Sequence, residues 1–212
     1  MLEALKHTST HALRLDDMAG TQTHTALFVI DIQDELARDP ATRIPHADRV
    51  VQAGERILQS ARQAIQNAKA NTNTETPSII IFVQHEETDG TLLRGSEAWQ
   101  LVLPPKSNTT TELLVAKATR DTFESNPDLA QRLRDLGIGR IVAFGIQSEC
   151  CVLSTCRGAL AAGFDVALLS GAHSTYDVDG KTAKEIERGV ETELQSKGAH
   201  IHPWEDVVKS WE

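Results

Sequence analysis

The chain has 212 residues and a formal net charge of -9, which suits a single domain with a substantial core. The acidic balance and the lack of a basic run argue against a nucleic-acid partner, because binding phosphates requires clustered Lys and Arg. No apolar stretch approaches the roughly 18 residues of a membrane-spanning helix, and residues 1–7 lack a signal-like apolar core, so we expect no membrane association. Three cysteines within seven positions cannot staple a fold, and we therefore expect a reducing, cytoplasmic location.

Predicted strands and helices alternate along most of the chain. Residues 1–24 are polar and aperiodic, so we expect an N-terminal arm followed by one domain over residues 25–212. The polar stretch Asn71–Thr76 has no apolar anchor and is expected to be a mobile loop. Short apolar runs predict strands over Ala26–Ile30, Ile79–Val83, Leu113–Lys117, Ile141–Phe144 and Val166–Ser170, with a last short strand near His200–His202. Helical spacing predicts helices over Ile44–Lys69, Leu129–Leu136, Cys151–Ala162 and Thr182–Gly198.

This alternation predicts the fold class. Strands that are apolar on both faces and alternate with amphipathic helices indicate a parallel sheet that is covered on both sides. We therefore predict an α/β fold, a three-layer α-β-α sandwich with a mainly parallel, Rossmann-like sheet. Ligands bind such sheets at the carboxyl ends of the strands, so reactive residues that follow different strands should lie close together.

Reactive side chains follow three of the predicted strands. Asp31 directly follows an apolar run, Lys117 closes another, and Gly145 leads to Cys151 at the start of a predicted helix. Taken singly, Asp31 is a common helix cap, Lys117 a common surface residue, and a free cysteine often a small buried hydrophobe. Together they supply a base, a charge-balancing cation and a nucleophile, and a thiol at a helix N-terminus is expected to have a lowered pKa.

Several segments between residues 25 and 202 share their order and spacing with one enzyme superfamily. The sequence resembles the isochorismatase-like cysteine hydrolases, which include nicotinamidases and related amidohydrolases. The segments that carry the resemblance are Val29-Ile-Asp-Ile-Gln33, Phe82-Val-Gln-His-Glu86, Gly95-Ser-Glu-Ala-Trp99, Lys117 with Phe123, Gly145–Val152 and Leu168–Tyr176.

The resemblance implies a role for each of the three strand-end residues. Asp31 is expected to act as general base and then as acid, Lys117 to orient it and balance charge, and Cys151 to be the nucleophile. The family pattern Gly-x-x-Thr-x-x-Cys-Val selects Cys151 over Cys150, which is expected to pack away from the site. Ser148 stands where threonine is usual and keeps the hydroxyl.

The resemblance also implies the backbone geometry that would stabilise an oxyanion. In similar proteins a cis peptide bond lies at the position of Ile146–Gln147. The backbone N–H groups of Gln147 and Cys151 would then form the oxyanion hole.

Pocket and metal expectations complete the predicted site. Nicotinamidases carry an Asp-x-His ligand group with a further histidine, whereas the corresponding segment Gln84–Gly90 has the single histidine His85. We therefore predict neither a metal nor another cofactor. His173 is read as a structural loop residue, and Gly171 replaces an acidic residue that is frequent in relatives. The predicted substrate-binding residues are Gln33, Leu36, His85, Trp99 and Phe123.

The leading functional prediction is a metal-independent cysteine amidohydrolase that acts on a small-molecule amide and assembles as a homo-oligomer. One alternative is an isochorismatase that hydrolyses a vinyl ether, which would not need a cysteine. A second alternative is a non-catalytic, oligomeric member of the fold.

Overall fold

A computed structural model describes residues 23–67 and 75–212, in which six strands form one sheet whose neighbouring strands are all parallel. The strands are β1 (His24–Ile30), β2 (Pro77–His85), β3 (Glu112–Lys117), β4 (Ile138–Ile146), β5 (Asp165–Ser174) and β6 (His200–Pro203). Their spatial order is β3-β2-β1-β4-β5-β6, so the direction of strand addition reverses between β1 and β4. The carboxyl ends of these two strands flank the crevice where ligands bind in such sheets.

Helices cover both faces of the sheet, which confirms the predicted three-layer α/β architecture. Alternate residues of β1 point to opposite faces, because Phe28 and Ile30 join one buried cluster whereas Leu27 and Val29 join the other. The helices are α1 (Asp34–Ala37), α2 (Ala47–Asn67), α3 (Thr122–Ser125), α4 (Leu129–Asp135), α5 (Leu153–Ala161), α6 (Ala183–Ser196) and α7 (Trp204–Ser210). The first cluster packs against α4, α5 and α6, and the second against α2 and α7.

Local signals explain where two of these helices begin. α2 starts at Ala47 and not at Ile44, since a residue before a proline disfavours the α conformation. α6 begins with a capping box in which the Thr182 side chain and the Glu185 side chain each accept from the other residue's backbone N–H. None of the described helices is long and apolar enough to cross a membrane.

The helix predicted over Cys151–Ala162 differs from the observed one. A π-turn spans Ser148–Val152, and α5 begins only at Leu153. The thiol of Cys151 therefore lies in a wide turn before the α-helix and not in its first turn. Of the predicted arm, residues 1–22 lie outside the described residues and His24 already belongs to β1; most of the predicted loop Asn71–Thr76 also lies outside them.

Candidate active site

The ends of β1 and β4 approach each other closely enough that only glycine fits between them. A Cβ atom on Gly145 would lie 2.0 Å from the carbonyl oxygen of Ile30, and Gly145 has φ +142°. Asp31, the residue after β1, takes the left-handed conformation with φ 48° and donates its backbone N–H to the Val83 carbonyl at 3.1 Å. Its side chain is 1% exposed. The left-handed turn at Asp31 thus directs a buried carboxylate away from the sheet, at the point between β1 and β4 where the direction of strand addition reverses.

Lys117 is the centre of the site. Its ammonium, which is fully buried, lies 2.8 Å from Asp31 Oδ2 and 3.2 Å from Cys151 Sγ. It also lies 3.2 Å from His85 Nδ1 and donates to the Thr119 carbonyl at 3.1 Å. An ammonium has three protons, so these four acceptors more than satisfy it. The structure therefore brings together Asp31, Lys117 and Cys151, which the sequence places on three different strand ends.

The electrostatics of the site keep the lysine charged and the thiol neutral at rest. Burial works to lower the pKa of Lys117, but Asp31 and then Cys151 outweigh it and raise that pKa above its ordinary value. Burial raises the pKa of the Cys151 thiol, Asp31 raises it further, and Lys117 opposes both. The predicted lowering of the thiol pKa is therefore wrong for the resting site. The causes are the desolvation of the thiol and the neighbouring Asp31 carboxylate.

His85 accepts a hydrogen bond on one side of its ring and faces a carboxylate on the other. Burial and then Lys117 lower the pKa of His85, so the ring is neutral and its Nδ1 accepts from the ammonium. Its Nε2 lies 3.8 Å from Glu87 Oε1. The buried Gln33 amide brackets the His85 backbone, accepting from His85 N and donating to His85 O, each at 3.0 Å. Gln33 thus fixes the position of His85.

The elbow between β4 and α5 has the predicted backbone geometry. The peptide bond between Ile146 and Gln147 is cis, which confirms that prediction. The Gln147 carbonyl accepts from the amides of Cys150 at 3.2 Å and Val152 at 3.1 Å. It does not accept from the N–H of Cys151, the residue between them. Gln147 and Cys151, whose N–H groups are the predicted oxyanion donors, both line the cavity beside the thiol.

A buried polar chain holds this elbow from behind. His173, fully buried, lies with Nδ1 2.8 Å from the Ser148 hydroxyl and Nε2 3.3 Å from Glu191 Oε1. The hydrogen bond from His173 lowers the pKa of Glu191. His173 is therefore a buried structural residue. It contacts the hydroxyl of Ser148, the residue that stands where threonine is usual. Gly171 has φ +81°, and its carbonyl accepts from Arg49.

A cavity of about 330 Å³ lies over the three strand ends, and only some of the predicted substrate-binding residues line it. Leu36 and His85 line it, whereas Gln33, Trp99 and Phe123 do not. Gln33 lies behind His85, and the Trp99 carbonyl accepts from its amide at 2.8 Å. The Phe123 ring stacks on Phe28 at 6.1 Å, in the core. The sequence predicts aromatic walls, but neither Trp99 nor Phe123 lines this cavity, and the Phe123 ring packs against the core.

Cys150 lines the same cavity, although the sequence predicts that it packs away. Successive residues in a π-turn rotate less about the axis than in an α-helix, so the neighbouring side chains of Cys150 and Cys151 diverge less. Burial and then Glu149 raise the pKa of the Cys150 thiol. Lys117 contacts Cys151 Sγ, and this contact distinguishes the two thiols.

Sequence reasoning missed most of the polar lining of the cavity. Glu87 and Arg120 follow His85 and Lys117 by two and three residues, so continuation past each strand end was the available signal. No comparable signal marked Glu35, which lies on α1, or Thr91 and Tyr176, which loops bring to the cavity. The residues of the cavity lining that were not predicted as part of the site are Glu35, Glu87, Thr91, Leu92, Arg120, Cys150 and Tyr176.

The ligand set of the site suits an ammonium better than a metal ion. Among the described residues, Asp31, His85 and Cys151 have potential metal ligand atoms within 4.8 Å of one another. The Lys117 ammonium contacts all three. A divalent cation at that point would meet a fixed positive charge and compete for ligands that are already engaged. Metal independence remains a prediction, and no chemical step below uses a metal.

Similarity to known sequences extends over most of the chain. The Isochorismatase domain model matches residues 25–196. Streptothricin hydrolase of Streptomyces noursei is 29% identical over 174 residues, which is 82% of this chain. The chain spans 63% of the length of that relative, which is less than two thirds.

Solved structures share the fold at low sequence identity. A cysteine hydrolase from Pseudomonas syringae pv. phaseolicola 1448A matches with a TM-score of 0.74 and 20% identity, covering 90% of this chain and 93% of its own. Pyrazinamidase of Pyrococcus horikoshii, solved in complex with zinc, matches with a TM-score of 0.62 and 22% identity, covering 85% and 99%. These matches establish the architecture.

Proposed function

The chain belongs to the isochorismatase family of hydrolases, and on that premise we propose that it cleaves a small-molecule C–N amide bond through a cysteine thioester. The contact of Lys117 Nζ with both Asp31 Oδ2 and Cys151 Sγ carries the proposal. This ammonium holds a base and a thiol beside each other at the floor of a cavity large enough for a small ligand.

The first half of the proposed reaction forms the thioester. Because the resting thiol is neutral, Asp31 accepts its proton as Cys151 Sγ attacks the amide carbonyl carbon. Asp31 Oδ1 has no hydrogen-bond partner among the described residues and is available for this proton. The N–H groups of Gln147 and Cys151 donate to the oxyanion, and losing one such donor costs about 3 kcal/mol of transition-state stabilisation.

The second half releases the products. Asp31 returns the proton to the nitrogen as the C–N bond breaks, so ammonia or an amine leaves and the acyl group stays on Cys151. Asp31 then takes a proton from water, whose oxygen attacks the thioester carbonyl. As the C–S bond breaks and the acid leaves, Asp31 returns that proton to Cys151 Sγ and the thiol is restored. Lys117 stays protonated throughout and balances whichever of the carboxylate and the thiolate carries the negative charge.

The alternatives explain the site less well. Vinyl-ether hydrolysis has no use for a thiol in contact with a buried ammonium. A non-catalytic scaffold would keep a fully desolvated Lys117–Asp31 pair, which costs several kcal/mol in desolvation and is often replaceable by apolar packing. We also propose that the protein acts on its substrate without a cofactor, and that it forms a homo-oligomer, which light scattering of the purified protein tests.

A matched pair of cysteine variants tests the proposed reaction. Ammonia release is measured on nicotinamide, pyrazinamide and ureido acids, and hydrolysis of streptothricin, cyclic imides and lactams is followed by mass spectrometry, first with the native protein. With any substrate found, we expect Cys151→Ala to abolish turnover, Cys150→Ala to retain it, and hydroxylamine to divert the acyl group to a hydroxamate. Turnover retained by Cys151→Ala would overturn the thioester mechanism.

A further inference from the structure

Two carboxylates that line the cavity, Glu35 and Glu87, each have one oxygen that accepts no hydrogen bond from the described residues. Glu35 Oε2 accepts from the Thr91 hydroxyl at 2.6 Å, and Glu87 Oε2 accepts from the Leu92 amide at 3.2 Å. Both bonds tie the carboxylates to the same short segment, and both residues are half-buried. Among the described residues, no hydrogen bond reaches Glu35 Oε1 or Glu87 Oε1. Each carboxylate is therefore held through one oxygen, and both residues line the cavity.

The remaining charges of the site do not neutralise these two carboxylates. Asp31 and Lys117 form an ion pair with each other at 2.8 Å. Burial and then Lys117 lower the pKa of His85, and its Nε2 is 3.8 Å from Glu87 Oε1, beyond hydrogen-bond distance. Arg120 is exposed at the cavity rim, and its positive charge works to lower the pKa of the Cys150 thiol. The Glu87 carboxylate thus lies on the side of the His85 ring opposite Lys117, and among the described residues no Lys or Arg forms an ion pair with Glu35 or Glu87.

The cavity also has an independent mark of a ligand site. Asp31 is 1% exposed, lines the cavity, and has an Oδ1 atom without a hydrogen-bond partner among the described residues. A buried carboxylate oxygen without a donor is costly unless a ligand or the reaction supplies one. The carboxylates Glu35 and Glu87 therefore line the same cavity as a buried carboxylate oxygen that has no hydrogen-bond partner.

We propose that the substrate is a cationic amide, in which an amine or guanidinium group binds between Glu35 and Glu87 while the carbonyl lies at Cys151. The inference rests on the proposed function, since it names the substrate class of the same cavity. The cation would occupy the far side of His85 from the thiol, so a short spacer separates it from the scissile bond. Each carboxylate would supply its unused oxygen, and the cation would lie away from Arg120.

Amides that differ only in the charge at one end test this directly. The cationic probes are β-alaninamide and γ-aminobutyramide, their neutral isosteres are butyramide and valeramide, and the anionic probe is succinamate. We expect kcat/KM to favour each cation over its neutral isostere by about 10-fold, as for a desolvated charge contact, and succinamate to be the poorest substrate. Preference for a neutral or an anionic probe would overturn the proposal.

Substitutions that keep the side-chain shape locate the effect. The double variant Glu35→Gln with Glu87→Gln retains an acceptor oxygen for Thr91 and Leu92, so we expect the loop to remain in place and the cation preference to disappear. Glu55→Gln removes the same charge from an exposed position on α2 and should leave the preference unchanged. A preference that survives the double variant, or that changes with Arg120→Gln instead, would contradict the assignment.

A charge-selective thiol reaction separates this inference from the amidase proposal, because it needs no turnover. In a Cys150→Ala background, Cys151 is treated with a trimethylammonium-ethyl or a sulfonatoethyl methanethiosulfonate, and modification is mapped by mass spectrometry. The measured quantity is the ratio of the modification rates with the cationic and the anionic reagent, divided by the same ratio for a free thiol in solution. We expect this normalised ratio to be about 10, and to fall to about 1 in the Glu35/Glu87 double variant. Equal relative rates would refute cation recognition even if Cys151 proves to be the nucleophile. Conversely, an intact charge preference with turnover in Cys151→Ala would refute only the mechanism.

Discussion

Replacing Asp31 by Asn should make the thiol more reactive while it abolishes hydrolysis. In the resting site burial and Asp31 raise the pKa of Cys151, and Lys117 opposes them. Asn removes the carboxylate charge and leaves the ammonium 3.2 Å from Sγ. The thiol should therefore ionise more readily, although the base that the proposed reaction requires is gone.

The size of this effect follows from the geometry of the site. The carboxylate oxygen and the sulfur lie within 4.8 Å, so at an effective dielectric constant of about 20 their repulsion is about 3.5 kcal/mol. That energy corresponds to about 300-fold more thiolate at a given pH. A thiolate of lower pKa is intrinsically less nucleophilic, with a Brønsted coefficient of about 0.45, which reduces the expected gain in alkylation rate to about 20-fold.

The assay is iodoacetamide alkylation near neutral pH, with the rate at each cysteine read by peptide mass mapping. Lys117→Gln is the opposing control, because losing the ammonium should slow alkylation of Cys151. Cys156 is fully buried with its pKa raised to about 12, and it should react slowly in every variant. Circular dichroism establishes that each variant is folded. Unchanged or slower alkylation of folded Asp31→Asn protein would refute the electrostatic reasoning.

Three further predictions concern the scaffold, each read by urea unfolding. Gly145→Ala should destabilise the fold by more than about 3 kcal/mol, since its Cβ would meet a β1 carbonyl at 2.0 Å; an unaltered midpoint would contradict this. Burial works to raise the pKa of Glu112, but Arg62 donates to both carboxylate oxygens at 2.9 Å, and the pKa is lowered below 4.5. This pair should therefore stabilise the fold above about pH 4.5, and the stabilisation should be lost as the pH falls through the lowered pKa. Arg62→Ala should flatten that acid dependence and cost about 2–3 kcal/mol at neutral pH, and an unchanged pH profile would show that the pair contributes nothing. Ser148→Ala should cost about 1–3 kcal/mol, because it removes the hydroxyl partner of the fully buried His173, whereas a cost near zero would mean that the imidazole finds another partner.

The sequence by itself determined the architecture and the members of the reactive group. Apolar runs such as Leu27–Ile30 that alternate with amphipathic segments leave a covered parallel sheet as the favourable arrangement, and in such a sheet the ends of the strands converge. Asp31, Lys117 and Cys151 could therefore be grouped before any coordinates, and the resemblance supplied the cis peptide bond after Ile146. These features depend on local patterns and on the order of the strands.

Only the tertiary structure decided what surrounds those residues. Phe123 packs in the core, Cys150 lines the cavity, and Glu35 and Glu87 supply its charge. Apart from Glu87, which follows the end of β2, these placements do not follow from position along the chain, because they depend on how α1, α3 and the turn before α5 pack against the sheet. The thiol pKa changes direction for the same reason. Desolvation and the distance to Asp31 are properties of the packed site, whereas the sequence-based expectation for Cys151 relied on its position near the start of a predicted helix.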